Sequence, residues 1–545
     1  MHCRAEPVQI GVLRGILERD QEVVVRRDTL FRDVFDLRMR KALGFIVVGD
    51  ARLSEDALCS LRAYVAIDDI RSFATGEAAQ RFSMSYDDAI NTFLPVLLQP
   101  SDETSREAYS RDLYRYKTIL IRCDGQALYA DDKKPSQWFV YRYVLSLLSY
   151  LCLRTIASHA GSDVFVPILR LHTTAEDQAE RNDDGDFLKM LSKLLAHMLG
   201  IDYLSNAQGY NVNSRTPDKF RVPNALSSLY SVLPKTFSHG TSPYKPALDR
   251  MAMVIVSSQE SDSVRDDASY RRSTLYGEIV RFERRGADAV LVRRHGTFAG
   301  NYDSATLHTN PTVLIDEVHK LAAEGFEHIV YIARSPYSST VNLTRRDLRD
   351  SLYFMSNDIL SRFKDSHPNL KIYPVFCDEY YAVRVHGVKA ESLYIQDTLE
   401  LQRVLNDTGR HVEPFLNLFN GKGVRNDTTY NGVVSYATLI NMHDAFVYDQ
   451  DTYAGLLVEG PLKDDLIYYL TLFHFARYEA HGRDVVLKLD PYEAIIGDES
   501  VGRLSERHHM TPPVRFNFLS WLTEVREVVA VGPIDRGARG GVAPR

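Results

Sequence analysis

"NPTVLIDEVHKLAAEGFEHIVYIARSP", residues 310–336, is the stretch on which the fold turns. It contains Asp316-Glu317-Val318-His319, the letters of the acidic box of a nucleic-acid motor. In such a motor a buried strand ends in carboxylates that hold Mg²⁺ at ATP phosphates. The motor also needs a Gly-rich loop ending in Gly-Lys-Ser/Thr, whose backbone N–H groups cradle those phosphates. The nearest stretch, "NGKGVRND" at 420–427, lacks the spaced first glycine and the hydroxyl after the lysine, and it lies downstream of the box rather than upstream. The spacing of Val313, Ile315, Val318 and Leu321-Ala322 instead predicts a helix that stops at Gly325. Asp316 and Glu317 then sit in its first turns, where the helix dipole favours negative charge.

Working outward, the helix is followed by a strand, "HIVYIARS", 328–335, and preceded by three more: "MAMVIVSS", 251–258, "STLYGEIVRFER", 273–284, and "AVLVRRHGTF", 289–298. The last two suit an antiparallel meander. "HGTFAGNYDSATLHTN", 295–310, gathers Gly, His, Asp and Ser without triad spacing and reads as a loop. Downstream, "LRDSLYFMSNDILSRFK", 348–364, places Leu348, Leu352, Met355 and Ile359 on one helical face, and "KIYPVFCDEYYAVRV", 371–385, is a strand. The order over 251–386 is β-β-β-α-β-α-β.

Upstream lies a small α/β unit. "SDVFVPILRLH", 162–172, is a strand, and "DFLKMLSKLLAHMLGID", 186–202, is an amphipathic helix with Asp186 as N-cap and Gly200 as stop. "VPNALSSLYSVLPKTF", 222–237, reads as a second helix, and a Ser/Gly/Pro-rich linker, 238–249, follows. Residues 1–155 are mixed. "ALGFIVVGD", 42–50, is a strand, "YKTILIRCDGQALYAD", 116–131, has the Asp-Gly signal of a hairpin, and "WFVYRYVLSLLSYLCLRTIASHAG", 138–161, is a buried helix. The Gly/Arg/Pro-rich end, 531–545, reads as a disordered tail.

The 545 residues are 45% hydrophobic and 25% charged, which fits two to four globular domains. Five scattered cysteines, none at zinc or redox spacing, fit a reducing compartment. With no leader-like N-terminus and no long apolar run, the expected location is cytoplasmic. The net charge of −7 excludes a general polycation, but a local basic groove suffices for phosphate contacts. Basic clusters occur at Arg26-Arg27, 38–41, Arg284-Arg285, Arg293-Arg294 and 344–349. His474 and His481, seven apart, are too distant for one ion, and the adjacent histidines at 508–509 point to different faces, so no metal site is expected.

Three antiparallel strands, helix, strand, helix, strand is the ribonuclease-H-like order. With the α/β unit before it, the chain resembles the Argonaute family, in the arrangement of its middle and PIWI domains. "FLKMLSKLLAHMLGI", "FRVPNALSSLYSVLP", "AMVIVSSQESD", "GFEHIVYIARSPYSS" and "DDLIYYLTLFHFARYEAHGRDVVLKLDPYEAIIGD" carry the resemblance, which covers about 160–510 and looks most like the short prokaryotic members. It implies an α/β protein: an N-terminal α+β domain (1–155), a Rossmann-like middle-type unit (156–245), a ribonuclease-H-like PIWI-type mixed sheet (246–530) and the tail (531–545). The family's nuclease draws acids from its first and fourth strands to hold two metal ions. Here those places read Val254-Ile255-Val256-Ser257-Ser258 and Ile332-Ala333-Arg334-Ser335, with no acid, so the unit is expected to be catalytically inactive.

The resemblance further implies guide-phosphate contacts from Lys189, Lys193, Gln208 and Lys235. Phe187 stands where the family has a tyrosine, and Lys189 and Lys193 also suit the wet face of an amphipathic helix. Arg293, Arg294, Arg334, Arg345 and Arg346 are the expected backbone contacts. The implied partners are an RNA or DNA guide, its complementary target and a separate effector protein in prokaryotic defence, with no membrane. No cofactor is expected, unless one Mg²⁺ accompanies the guide phosphate. Two alternatives stay open: a nuclease with acids rearranged among Glu260, Asp262, Glu278 and Asp378, and a nucleic-acid-free scaffold of a larger complex.

Overall fold

The structure, a computed structural model, describes residues 46–47, 83–86, 92–100, 119–123, 135–160, 163–172, 183–211, 228–238, 245–260, 272–334, 357–385, 411–419, 423–425, 428–440, 449–477, 491–492, 505–508 and 514–531. Among them are two main sheets and a small two-stranded one.

The first seven strands in chain order are β1 (Ile46–Val47), β2 (Ser83–Tyr86), β3 (Thr92–Phe93), β4 (Val96–Pro100), β5 (Ile119–Cys123), β6 (Val164–His172) and β7 (Leu204–Asn211). Helix α1 (Pro135–Ala160) joins β5 to β6, and α2 (Asp183–Leu199) lies between β6 and β7. β5, β4, β6 and β7 are mutually parallel neighbours, β3 also pairs parallel with β6, and β1 closes one edge antiparallel. Parallel pairing requires a crossover between strands, and α1 and α2 supply two of them. Their apolar faces, including Leu145, Leu153, Leu191 and Leu195, cover the sheet.

This sheet corrects the expected boundaries. The boundary at 155/156 falls inside α1, because β4 and β5 belong to the same sheet as β6 and β7. β5 lies between β1 and β4, while the Asp-Gly signal at 124–125 and the run after it lie outside the described residues.

The larger sheet contains β2 together with β8 (Lys235–Ser238), β9 (Arg250–Glu260), β10 (Arg272–Arg285), β11 (Ala289–Asp303), β12 (His328–Arg334), β13 (Lys371–Val385), β14 (His411–Phe419), β15 (Gly423–Arg425) and β16 (Thr428–Ile440). Its spatial order is β14-β16-β13-β12-β9-β10-β11-β8-β2, with β15 beside β16. β9, β10 and β11 form an antiparallel meander, while β12 runs parallel to β9 and β13 parallel to β12. The five-strand centre, β11-β10-β9-β12-β13, is compatible with the ribonuclease-H-like order read from the sequence. β8 and β2 extend it on one side, so the boundary at 245/246 cuts β8 from the sheet it joins. Residues 222–237 do not form the expected helix over their described part. A short helical stretch, 228–232, ends at Val232, and Lys235–Ser238 pair with β11.

Alternation along β9 assigns the two faces, because successive side chains point to opposite sides. Ala252, Val254 and Val256 pack beneath α3 (Ser304–Thr309), α4 (Thr312–Ala323) and α5 (Asn357–Asp365). Met251, Met253 and Ile255 pack on the other face. That face is covered by α6 (Asp449–Thr452), a π-helical turn Tyr453–Leu457 and α7 (Pro461–Ala476). The chain's final described element, α8 (Phe518–Val531), follows the hairpin of β17 (Ser505–His508) and β18 (Val514–Asn517), and returns to the smaller sheet's core.

The stretch that opened the sequence reading is helix α4. Leu314, Ile315, Val318 and Leu321 are buried, Asp316 is exposed, and Glu317 pairs with Lys320. Gly325, at φ 88°, lets its own N–H reach Ala322 O and the Phe326 N–H reach Leu321 O, closing the last turn. Carboxylates on the outside of a helix cannot form the buried acidic box of a motor. The stretch read as a loop, 295–310, is instead the end of β11 followed by α3, whose N-cap is the Asp303 carboxylate accepting from Thr306 N.

One glycine is required by packing. A Cβ on Gly277 would lie 2.1 Å from Ile255 O and 2.4 Å from the Phe298 ring. Gly277→Ala is expected to cost about 1–3 kcal/mol, since the strand must shift to admit the methyl group. Its urea midpoint against wild type measures this.

Candidate nucleic-acid interface

Two places in the larger sheet carry the residues that matter. The first is the corner where β9 and β12 end. β12 pairs with β9 up to Ile332 beside Ile255, and two residues on, Arg334 pairs with Cys377 of β13. This brings the Arg334 backbone level with Ser257, which is buried. A serine hydroxyl is a poor substitute for a carboxylate at a divalent ion, and a guanidinium repels a cation while matching phosphate geometry. The residue types at this corner are therefore a serine and an arginine, with a carboxylate at neither position. Among the described residues, no three His, Cys, Asp or Glu side chains are grouped closely enough to hold an ion.

The second place is a buried ionic knot between the two sheets. Glu278 on β10 shares a face with Ile255 and Ser257, and receives Arg294 of β11 at 3.1 Å and Arg477 from the end of α7. The carboxylate is 2% exposed and the two arginines 8% and 9%, so the pairing takes place away from water. Burial pulls the Arg294 guanidinium down to about 10, still above the range in which it would lose its charge at neutral pH. A bulge aims Arg294 inward. Ile279 pairs with Gly296 and Val280 with Arg294, so His295 is the extra residue. Arg294 also donates to Ser205 O at the start of β7, which ties the larger sheet to the smaller one.

These positions sort the expected contacts. Lys189 and Lys193 are half-buried on α2, and Gln208, on the next strand, accepts from Ser228 Oγ at 2.9 Å. Lys235 does not join them at a surface. It is 2% exposed on β8, its ammonium donates to Ser231 O at 2.8 Å and to Ala476 O, and burial, then the Arg477 charge, push it well below the usual lysine range. Arg294 is likewise inside the knot and not free to meet a phosphate, whereas its neighbour Arg293 is exposed. Arg345 and Arg346 lie outside the described residues. Of the acids in the nuclease alternative, Glu278 is taken by two arginines on the face opposite α4, and Asp262 lies outside the described residues. His474 is a core residue, sharing a hydrogen bond with Tyr436 OH, which in turn meets Tyr492 OH at 2.8 Å.

Sequence reasoning missed the knot. The sequence offers Glu278 as a candidate nuclease acid and Arg294 as a candidate backbone contact, and only the bulge and the α7 terminus bring their charges together. A glutamate within an otherwise apolar strand face, "YGEIV", was the one available signal.

No protein-family profile and no curated protein matches the sequence. Among solved structures, the chain is similar to Piwi from Drosophila, at 10% identity and a TM-score of 0.32, over 78% of this chain and 49% of that one. It thus spans about half the length of that protein. It is also similar to the NurA nuclease from Sulfolobus solfataricus, at 10% identity and a TM-score of 0.16, over 42% of this chain and 81% of that one. No helix among the described residues is long and apolar enough to cross a membrane.

Proposed function

We propose that this chain binds a guide strand and its complementary target, does not cut them, and acts through a separate effector protein in prokaryotic defence. The observation that carries the reading is the corner of the larger sheet. Ser257 and Arg334 stand level at the ends of the neighbouring strands β9 and β12, and the absence of a carboxylate at either position supports a sheet that holds a strand without cutting it. The adjoining parallel sheet supports it, as the Argonaute-like sequence order implies such a neighbour. Lys189, Lys193 and Gln208 are the guide-phosphate candidates on that sheet, and Arg293 and Arg334 the backbone candidates on the larger one. Lys235 and Arg294 are withdrawn from these roles to structural ones.

The test is the absorbance ratio of the purified protein at 260 and 280 nm, followed by sequencing of any bound nucleic acid. Short strands sharing one common end are expected. Binding of a labelled oligonucleotide should weaken with salt, with a log–log slope of about 0.7 per phosphate contacted on a single strand. Protein free of nucleic acid and without salt-sensitive binding would favour the scaffold. Mg²⁺-dependent cleavage lost in Asp262→Ala would favour the nuclease.

A further inference from the structure

Among the described residues, the two sheets touch along a seam between α2–β7 and β11. His197 Nε2 donates to Phe298 O at 3.1 Å, Thr297 Oγ1 to His197 O at 2.6 Å and Thr297 N to Gly200 O at 2.9 Å, with Arg294 reaching Ser205 O beside them. The backbones are close enough that a Cβ on Gly296 would lie 3.3 Å from Gly200 O. All these contacts join the end of α2 and the start of β7 to the bulged middle of β11. Contacts that run along a line resist separation more than rotation about that line.

A second line is supplied by α8, which grips both bodies. Toward the larger sheet, Asn301 Nδ2 donates to Ser520 O and to Glu524 Oε1, each at 2.8 Å, and Asn517 Nδ2 reaches Thr274 Oγ1 at 3.3 Å. Toward the smaller sheet, the Trp521 ring stacks on Tyr143 of α1 with centroids 3.7 Å apart, Phe518 meets Phe187 of α2, and Arg526 donates to Asp202 Oδ1 at 2.8 Å. Asn517 caps the helix by accepting from Ser520 N, so the grip on the larger sheet and the start of the helix depend on one side chain.

We propose that α8 is a strap that fixes the angle between the two sheets, with the seam at His197–Ser205 as its pivot. Loosening the strap lets the smaller sheet turn about the seam, changing the path open to a strand that lies across both sheets. The functional meaning of that turn rests on the nucleic-acid reading, but the mechanics do not.

The test is amide hydrogen exchange of the full chain, without nucleic acid, in Asn301→Ala and Trp521→Ala. Asn301→Ala cuts the strap from the larger sheet and should speed exchange about tenfold across the gap, in α1 around 143–153. Trp521→Ala cuts it from the smaller sheet and should speed exchange in β11 near 299–303. In both, residues 197–200 at the pivot should keep their protection. Exchange that changes only on the side carrying the substitution overturns the strap. If Trp521→Ala fails to fold, the Asn301→Ala measurement decides alone. Because no nucleic acid is present, failure here leaves the binding reading standing.

Discussion

Glu278→Gln is expected to destabilise the protein by about 3–5 kcal/mol, the usual cost of breaking a buried ionic group by removing one partner. Glutamine keeps the shape and some hydrogen bonding but removes the charge. Arg294 and Arg477, 8% and 9% exposed, then face each other in the interior without the carboxylate that served both. At that exposure little water reaches them to replace it. Urea unfolding measures the effect, with Arg293→Gln as a control, since that side chain is exposed on the same strand and should change stability by less than about 0.5 kcal/mol. Replacing the pair together, Glu278→Met with Arg294→Met, should be milder than the two single losses added, because their mutual interaction is then lost once rather than twice, although Arg477 still loses its carboxylate. A Glu278→Gln loss under about 1 kcal/mol would mean that the carboxylate is not what holds these arginines.

The second large effect is acid destabilisation centred on His197. Burial is the main cause of its depressed basicity. Donation to Phe298 O works in the opposite direction, and the Arg294 charge adds to the depression, leaving the imidazole at about 3. The unfolded chain's histidines titrate near 6.5, so below that value the unfolded state takes up a proton that the folded state refuses. The contribution is fully present above about 6.5 and is lost as pH falls toward 3, with a slope approaching ~1.4 kcal/mol per pH unit. By pH 5 the loss from this one group is about 2 kcal/mol. His328, held down to about 4 by burial and then by Lys371, adds in the same sense. Comparing urea midpoints at pH 7 and pH 5 for wild type and His197→Phe isolates the effect. The variant should lose about 1 kcal/mol at pH 7, since Phe298 O loses its donor, yet show a shallower fall with acid. Parallel pH profiles would show that His197 is not the group responsible.

Much of the larger sheet was legible from residues alone. Val254, Ile255 and Val256, the meander of 273–298, and the helical spacing of Leu314, Ile315, Val318 and Leu321 are local patterns set by side-chain period, and each sits where that period places it. Gly325 was readable as a stop because a left-handed residue there is a local requirement. The same locality explains the failures. Residues 222–237 have helix-compatible composition, but Lys235–Ser238 find an open edge on β11, and pairing outweighs propensity. Residues 92–123 gave no sign of belonging to the sheet of 164–211, because parallel neighbours are brought together by crossovers and share no turn that could be read.

For the site, the identities of Ser257 and Arg334 were visible in the sequence, since an absent carboxylate needs no structure to be seen. Whether a given cation faces solvent was not. Lys235 and Arg294 look like any surface cations until the end of α7, the bulge at His295 and the start of β7 close around them. The sequence alone determined the central strands and the α4 helix of the larger sheet and the residue types at its corner. Tertiary structure alone decided which charges are buried together, because burial depends on contacts between residues about 16 to 240 positions apart, and no local period encodes them.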